Sequence, residues 1–227
     1  MPQYNIFGAP EFAMLTVDLQ PDEKFVAESG AMVGMSSNMK MKTSSRGGIL
    51  KGLKRKLLSG ESFFQNTYWP EGAPGRIQFA AGAPGDIIQS TLQPGEVLYM
   101  MSTAFICSTE SVQLDSKWGG ARGFFSGVGL FLLKATGPGD VFLSAYGAVH
   151  PVRVDGTYIV DTGHIVAFPE TTQYSIRKVG GIKSLFFSGE GIVAEFTGQG
   201  TVWLQTRSPT SLAEFLHPFR KVQRNNN

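Results

Sequence analysis

Three short phrases recur in the same order along this 227-residue chain, and recurrence constrains the fold more tightly than any local propensity. The first is Leu19-Gln20-Pro21-Asp22-Glu23-Lys24-Phe25-Val26. It is matched by Leu92-Gln93-Pro94-Gly95-Glu96-Val97-Leu98-Tyr99 and more loosely by Val160-Asp161-Thr162-Gly163-His164-Ile165-Val166-Ala167. Each reads as a turn feeding an apolar strand. The second phrase, Ser59-Gly60-Glu61-Ser62-Phe63-Phe64, returns as Ser126-Gly127-Val128-Gly129-Leu130-Phe131 and as Ser188-Gly189-Glu190-Gly191-Ile192-Val193. The third is a glycine at Gly75, Gly139 and Gly200 that leads into an apolar run. Glycine turns punctuate any antiparallel protein. The paired glycines Gly47-Gly48, Gly119-Gly120 and Gly180-Gly181 ahead of the second phrase are more than punctuation. The order predicts three tandem copies of one module, over residues 1–80, 81–148 and 149–210, with a tail 211–227, all in a single domain 1–227.

The expected class is all-β. Short runs of β-branched and aromatic residues, such as 141–145 and 201–206, are bounded by Gly, Pro, Asp or Asn. Two helices are expected besides. Residues 49–58 place Ile49, Leu53 and Leu57 four apart beside Lys51, Lys54, Arg55 and Lys56, a short basic amphipathic helix inserted in the first module only. Residues 208–216 put Pro209 at a first helical position and Ser211 three before Glu214, the spacing of a capping box, in a helix expected to close the final sheet edge.

Other function classes are narrowed by what the chain contains. Cys107 is the only cysteine, which excludes an intramolecular disulfide framework and multi-cysteine metal sites. The first residues lack a basic start followed by an apolar run, and no stretch approaches the roughly 18 apolar residues of a membrane span, so the expected compartment is the cytoplasm. A net charge of +2 implies no polyanion partner by itself. Charged residues are 17% of the chain, below the roughly 25% of an average soluble domain, so much of the surface is expected to be covered by partners.

The Leu-Gln-Pro-Gly-Glu turn, the Gly-Gly linker and the basic run Lys51-Gly52-Leu53-Lys54-Arg55-Lys56-Leu57-Leu58 entering Ser-Gly-Glu-Ser-Phe-Phe carry a likeness to a known group, as does Phe186-Phe187-Ser188-Gly189-Glu190-Gly191. Over nearly its whole length the chain resembles a bacterial family of unknown function related to the mitochondrial biogenesis proteins named for altered inheritance of mitochondria. The resemblance implies a fold like the tryptophan RNA-binding attenuation protein, a short double-stranded β-helix or sandwich module present three times per chain. It further implies that three chains close a ring of nine modules. It implies no biochemical activity.

The resemblance makes that ring a homotrimer; physics independently makes a ring plausible, because a repeated β module ends in sheet edges that cyclic closure removes, the alternative being a monomer with protected ends. A ring that binds RNA needs basic and stacking residues in every module. Here Lys40, Lys42, Arg46, Lys51, Lys54, Arg55 and Lys56 crowd the first module, whereas the second has Lys117, Arg122 and Lys134. Nucleic acid is therefore disfavoured. Lys51, Lys54, Arg55 and Lys56 are the candidate contact for an anion, an anionic membrane surface or a protein partner. The other reading of that helix is an edge cover with a solvated basic face.

An enzyme requires a constellation, and His150, His164, His217, Cys107, Asp161 and Glu190 form no catalytic or metal-ligand spacing. His164 falls at the repeat position of Glu23 and Glu96 and reads as a turn residue. Cys107 reads as an inert core thiol. The glycine-rich steps lack the lysine and helix of a phosphate cradle, and no cofactor motif is present. Paired rings at Phe63-Phe64, Phe124-Phe125 and Phe186-Phe187 place one ring inward and its neighbour on the opposite face of a strand. The expectation is a non-enzymatic oligomeric scaffold or binding protein, with an RNA-binding or small-ligand-binding ring as the alternative.

Overall fold

Alternation of apolar and polar residues builds most of what the sequence marks as strand. The computed structural model describes residues 2–45, 64–115, 124–125, 130–178 and 192–220. The expected basic helix at 49–58 and its residues Lys51, Lys54, Arg55 and Lys56 lie outside them. The chain opens with β1 (Gln3–Phe7), β2 (Met14–Leu19), β3 (Phe25–Glu28), β4 (Met32–Met35), β5 (Met39–Ser45), β6 (Phe64–Pro70) and β7 (Gly75–Ala80). It continues with β8 (Ile87–Leu92), β9 (Val97–Met101), β10 (Phe105–Thr109), β11 (Gln113–Asp115), β12 (Phe124–Phe125), β13 (Leu130–Thr136) and β14 (Gly139–Ser144). It ends with β15 (Val149–Asp161), β16 (Ile165–Pro169), β17 (Thr172–Lys178), β18 (Ile192–Gln205) and one helix, α1 (Pro209–Leu216). The protein is predominantly β, as expected. In β2, Leu15, Val17 and Leu19 turn inward while Met14, Thr16 and Asp18 do not. β9 is buried at every residue, which suits a strand covered on both faces.

The Leu-Gln-Pro phrase is a tight turn with its own cap. The Gln20 amide donates to Glu23 Oε2 at 2.9 Å and the Gln93 amide to Glu96 Oε2 at 2.9 Å, while Glu23 N and Glu96 N close back onto the carbonyls of Gln20 and Gln93. Proline presets φ at the second turn position, and Gly95 takes the positive φ of 79° at the third. The expected third copy at 160–167 is a turn of another kind, a single 3-10 turn Thr162–His164 that feeds the apolar β16, while β15 runs continuously from Val149 to Asp161. Its bend falls where Gly156 faces Gly198, both at positive φ.

The same pairings recur in each third of the chain. Leu19 faces Gly75 in the β2·β7 ladder, Leu92 faces Gly139 in β8·β14, and Val154 faces Gly200 in β15·β18. β4 follows β7 with a bulge between Met32 and Gly34; β10 follows β14 with one between Phe105 and Cys107; β16 follows β18 with one between Ile165 and Ala167. β5 pairs with β6, β11 with β13, and β17 with β18. Two further ladders join one third to the next. In β3·β10, Ala27 faces Cys107 and Val26 faces Ser108; in β9·β16, Met100 faces Ala167 and Tyr99 faces Phe168. A four-stranded sheet β1-β2-β7-β4, a six-stranded sheet β5-β6-β3-β10-β14-β8 and an eight-stranded sheet built on β11-β13-β9-β16-β18-β15 result.

These registers shift the third copy of the first phrase. Val154, not Val160, stands where Leu19 and Leu92 stand. His164 directly precedes Ile165, as Ala31 precedes Met32 and Ala104 precedes Phe105, so it does not occupy the place of Glu23 and Glu96. The two-residue shortening of the turn in the last third hides this from the sequence.

Two cores fill the space between the sheets. Leu15, Val17, Phe25, Tyr68 and Phe79 meet Cys107 and Phe142 in one. The rings of Phe25 and Phe79 lie 6.1 Å apart and those of Tyr68 and Phe79 5.7 Å. Met100, Leu132, Val141, Leu143, Phe168, Phe196 and Val202 belong to the other, where Phe168 and Phe196 meet edge to face at 5.0 Å. β14 serves both, since Phe142 points to the first and Val141 and Leu143 to the second.

The glycines of the third phrase are required by close approach. A Cβ at Gly75 would stand 2.6 Å from Met39 Sδ, one at Gly139 would collide with Thr109 Oγ1, and one at Gly200 with Thr172 Oγ1. Helix α1 starts at Pro209 as expected, but its cap is Ser208, whose hydroxyl accepts from Ser211 N at 3.5 Å. It does not cover the β15 edge, where Tyr158 and Ile159 stay exposed.

Candidate functional site

The residues that carry chemistry are scattered. Cys107 is wholly buried in the first core, and burial holds its thiol pKa well above the ordinary value. Asp161 Oδ1 accepts from Gly163 N at 2.7 Å and caps a single turn of 3-10 helix, Thr162–His164. His164 closes that turn with Nδ1 2.7 Å from the Gln205 carbonyl oxygen. His150 faces Leu204 across the β15·β18 ladder, and His217 follows α1. Glu190 lies outside the described residues. No group of three His, Cys, Asp or Glu suited to a metal occurs among the described residues.

The basic region is described only in part. Lys40 and Lys42 stand exposed on β5, and Lys40 Nζ pairs with Glu71 Oε2 at 3.3 Å. Of the paired rings, Phe64 is exposed at the start of β6, facing Ser45, and Phe124 and Phe125 pair through their backbones with Phe131 and Leu130. Phe63, Phe186 and Phe187 lie outside the described residues.

Two strand edges stand out instead. Counted from the bulge, Met32, Val33 and Met35 of β4 hold the places of Phe105, Ile106 and Ser108 in β10 and of Ile165, Val166 and Phe168 in β16. They are 37%, 56% and 42% exposed, whereas the other six are at most 2% exposed. Tyr158 and Ile159 of β15 hold the places of Phe25 and Val26 in β3 and of Leu98 and Tyr99 in β9. They are 42% and 49% exposed, against at most 6% for their counterparts. The buried counterparts are covered by the ladders β3·β10 and β9·β16. β4 and β15 are the matching strands with no such ladder, each terminal in its sheet. Sequence periodicity missed them, since an apolar strand residue reads alike on a paired and an unpaired edge.

A second surface surrounds α1. Pro209, Thr210 and Ala213 rest over Met101, Thr103, Thr162, Gly163, Ile165 and Gln205 around a mainly apolar cavity of about 210 Å³. Two of its polar side chains are already engaged: Gln205 Nε2 donates to the Gly163 carbonyl at 2.8 Å, Gln205 Oε1 accepts from Tyr146 N at 2.9 Å, and Thr162 Oγ1 donates to the Ile192 carbonyl at 3.0 Å. On the outer side Leu212, Phe215 and Leu216, with Phe219 just beyond the helix, are all exposed. No helix among the described residues is long and apolar enough to cross a membrane.

Comparison with known proteins agrees with this architecture. The family model described as Mitochondrial biogenesis AIM24 matches residues 4–207. An uncharacterized protein of Streptococcus pyogenes serotype M6 is 26% identical over 214 residues, spanning 90% of this chain and 85% of that protein. A crystal structure of a protein from Streptococcus pyogenes superposes with a TM-score of 0.82 at 25% identity, over 97% of this chain and 100% of that one.

Proposed function

The chain belongs to the mitochondrial biogenesis AIM24 family, and for this member we propose a non-enzymatic role as an oligomeric β scaffold. Each chain is read as three tandem sandwich modules of the double-stranded β-helix kind, and three chains join edge to edge in a ring. The recurring ladders support the triplication. Each third pairs β2, β8 or β15 with its last long strand β7, β14 or β18, and sets a bulge at the same place in the strand beside it.

The observation that carries the ring is the ladder used twice inside the chain and left open at its ends. β3·β10 and β9·β16 share one register, and its third occurrence requires β15 of one copy against β4 of the next. The register then sets Ile159 opposite Met35, Val160 opposite Gly34 and Tyr158 opposite Ser36 of the neighbouring copy. Addition of strands at both edges satisfies backbone groups and buries the apolar residues that the isolated chain exposes. Because the two edges differ, the contact is head to tail, and it closes into a ring when the rotation between copies divides a full turn. The absence of a converging set of acids, bases and nucleophiles around any described cavity favours assembly over catalysis.

Light scattering tests the assembly: a mass near three times 24.6 kDa is expected, and a monomer across the micromolar range overturns the ring. The register is tested by the double variant Met35→Cys with Ile159→Cys, which forms chain-to-chain disulfides under mild oxidation. The control pair Met41→Cys with Ile176→Cys, comparably exposed but off the ladder, does not.

A further inference from the structure

We propose that α1 and the turn after it dock this protein onto an anionic lipid surface. Leu212, Phe215, Leu216 and Phe219 follow the spacing i, i+3, i+4, i+7, which lines them along one side. They are 39%, 66%, 51% and 73% exposed. The rings of Phe215 and Phe219 already touch at 5.7 Å, so the pair is arranged before any partner arrives. The Ser208 cap and Pro209 at the first helical position stabilise the helix without help from that side. Pro209, Thr210 and Ala213, exposed like the rest of the helix, line the cavity against the body, and the apolar stripe lies on another side of the helix.

Charge selects the occupant. After Glu214 the sequence contains Arg220, Lys221 and Arg224 and no acidic residue, although the whole chain carries only +2. Cations that follow an apolar stripe in the sequence, beginning with Arg220 directly after Phe219, repel a second copy of the same surface and attract an anionic headgroup layer. Phenylalanine and leucine side chains enter the headgroup boundary while the cations remain among the phosphates. A single chain has every element of this surface. In the ring proposed above, rotation about one axis keeps each copy of α1 on the same face, so three stripes meet a bilayer together and their contacts reinforce one another.

The test is flotation of the full chain with vesicles of phosphatidylglycerol and phosphatidylcholine, against phosphatidylcholine alone, at low and high salt, with light scattering on the same samples. Wild type is expected to float with the anionic vesicles, weakly with the neutral ones, and less as salt rises. Phe215→Ser with Phe219→Ser is expected to lower the bound fraction by roughly tenfold with oligomer mass unchanged. A separate Phe219→Trp variant needs no loss of apolar surface: its added emission is expected to be quenched by bromine-labelled acyl chains. Absence of flotation, equal binding to both vesicle types, full binding by the double serine variant or an unquenched Trp introduced by that substitution each overturns the proposal. So does loss of binding in Lys54→Glu with Arg55→Glu while the stripe variant binds normally. If wild type instead gains mass with concentration through the stripe, its occupant is a second copy and the lipid assignment fails. A monomer that still floats refutes the ring alone.

Discussion

Replacing Glu28 by glutamine should stabilise this protein at neutral and alkaline pH and leave it unchanged in acid. Glu28 ends β3, facing Gln65 across the β3·β6 ladder, and it is half-buried. Gln65 is buried, and among the described residues its Nε2 has no hydrogen-bond partner, so this facing amide does not compensate the carboxylate. Removal from water alone raises the Glu28 pKa from 4.5 to about 7. Both folded and unfolded states hold the proton below pH 4.5, so the group costs nothing there. Between 4.5 and about 7 the unfolded chain releases the proton first, and stability falls as pH rises; above about 7 the penalty is complete. A shift of that size corresponds to roughly 3 kcal/mol at most, and solvent screening of a half-buried group reduces it to about 1–2 kcal/mol. Urea unfolding of wild type and Glu28→Gln at fixed protein concentration, from about pH 4 to about pH 8.5, reads the difference directly. The two should coincide near pH 4 and diverge by about 1–2 kcal/mol by about pH 8, with the variant more stable. A difference independent of pH, or a variant less stable in the alkaline range, would refute the reasoning, because it would mean that the carboxylate is stabilised by a partner.

Three further outcomes follow from named contacts. Cys107 should not react with an aromatic disulfide reagent in the native protein and should react fully in denaturant, since its thiol is buried with a raised pKa; labelling of the folded protein within minutes would contradict its placement. Gly139→Ala should destabilise by about 2 kcal/mol or more, because φ there is 138° and the new methyl meets Thr109 Oγ1, which the Asp140 amide holds at 3.1 Å; an unchanged urea midpoint would sink this. Asp18→Asn should cost no more than about 1 kcal/mol even though Arg76 Nε and Nη2 reach Asp18 at 2.7 and 2.9 Å, since the pair is exposed to water; its effect should fade as salt rises.

The first two turns of the recurring phrase were decided locally and so were legible in the residues, whereas the order of strands in the sheets was set by distant pairings. Proline at the second position and a glutamate to cap the amide make the turns at 20–23 and 93–96 self-contained, with Asp22 at the third position of one and Gly95 at that of the other. The glycines at 75, 139 and 200 were visible as markers, but their reason, a neighbouring chain segment within a methyl group's reach, belongs to tertiary packing. The last third cannot be aligned through Val160 because β15 dispenses with the turn, and only the facing of Val154 and Gly200 restores the correspondence. The β class, the helix start at Pro209 and the inert setting of Cys107 were determined by sequence alone, through alternation, a proline's fixed φ and an apolar neighbourhood. Which apolar strands remain uncovered was decided by the tertiary structure alone. The residue type at such a position carries no signal: Val33 and Val166 are the same residue at the same place, one 56% exposed and the other 1%, and the difference is the strand that lies beside them.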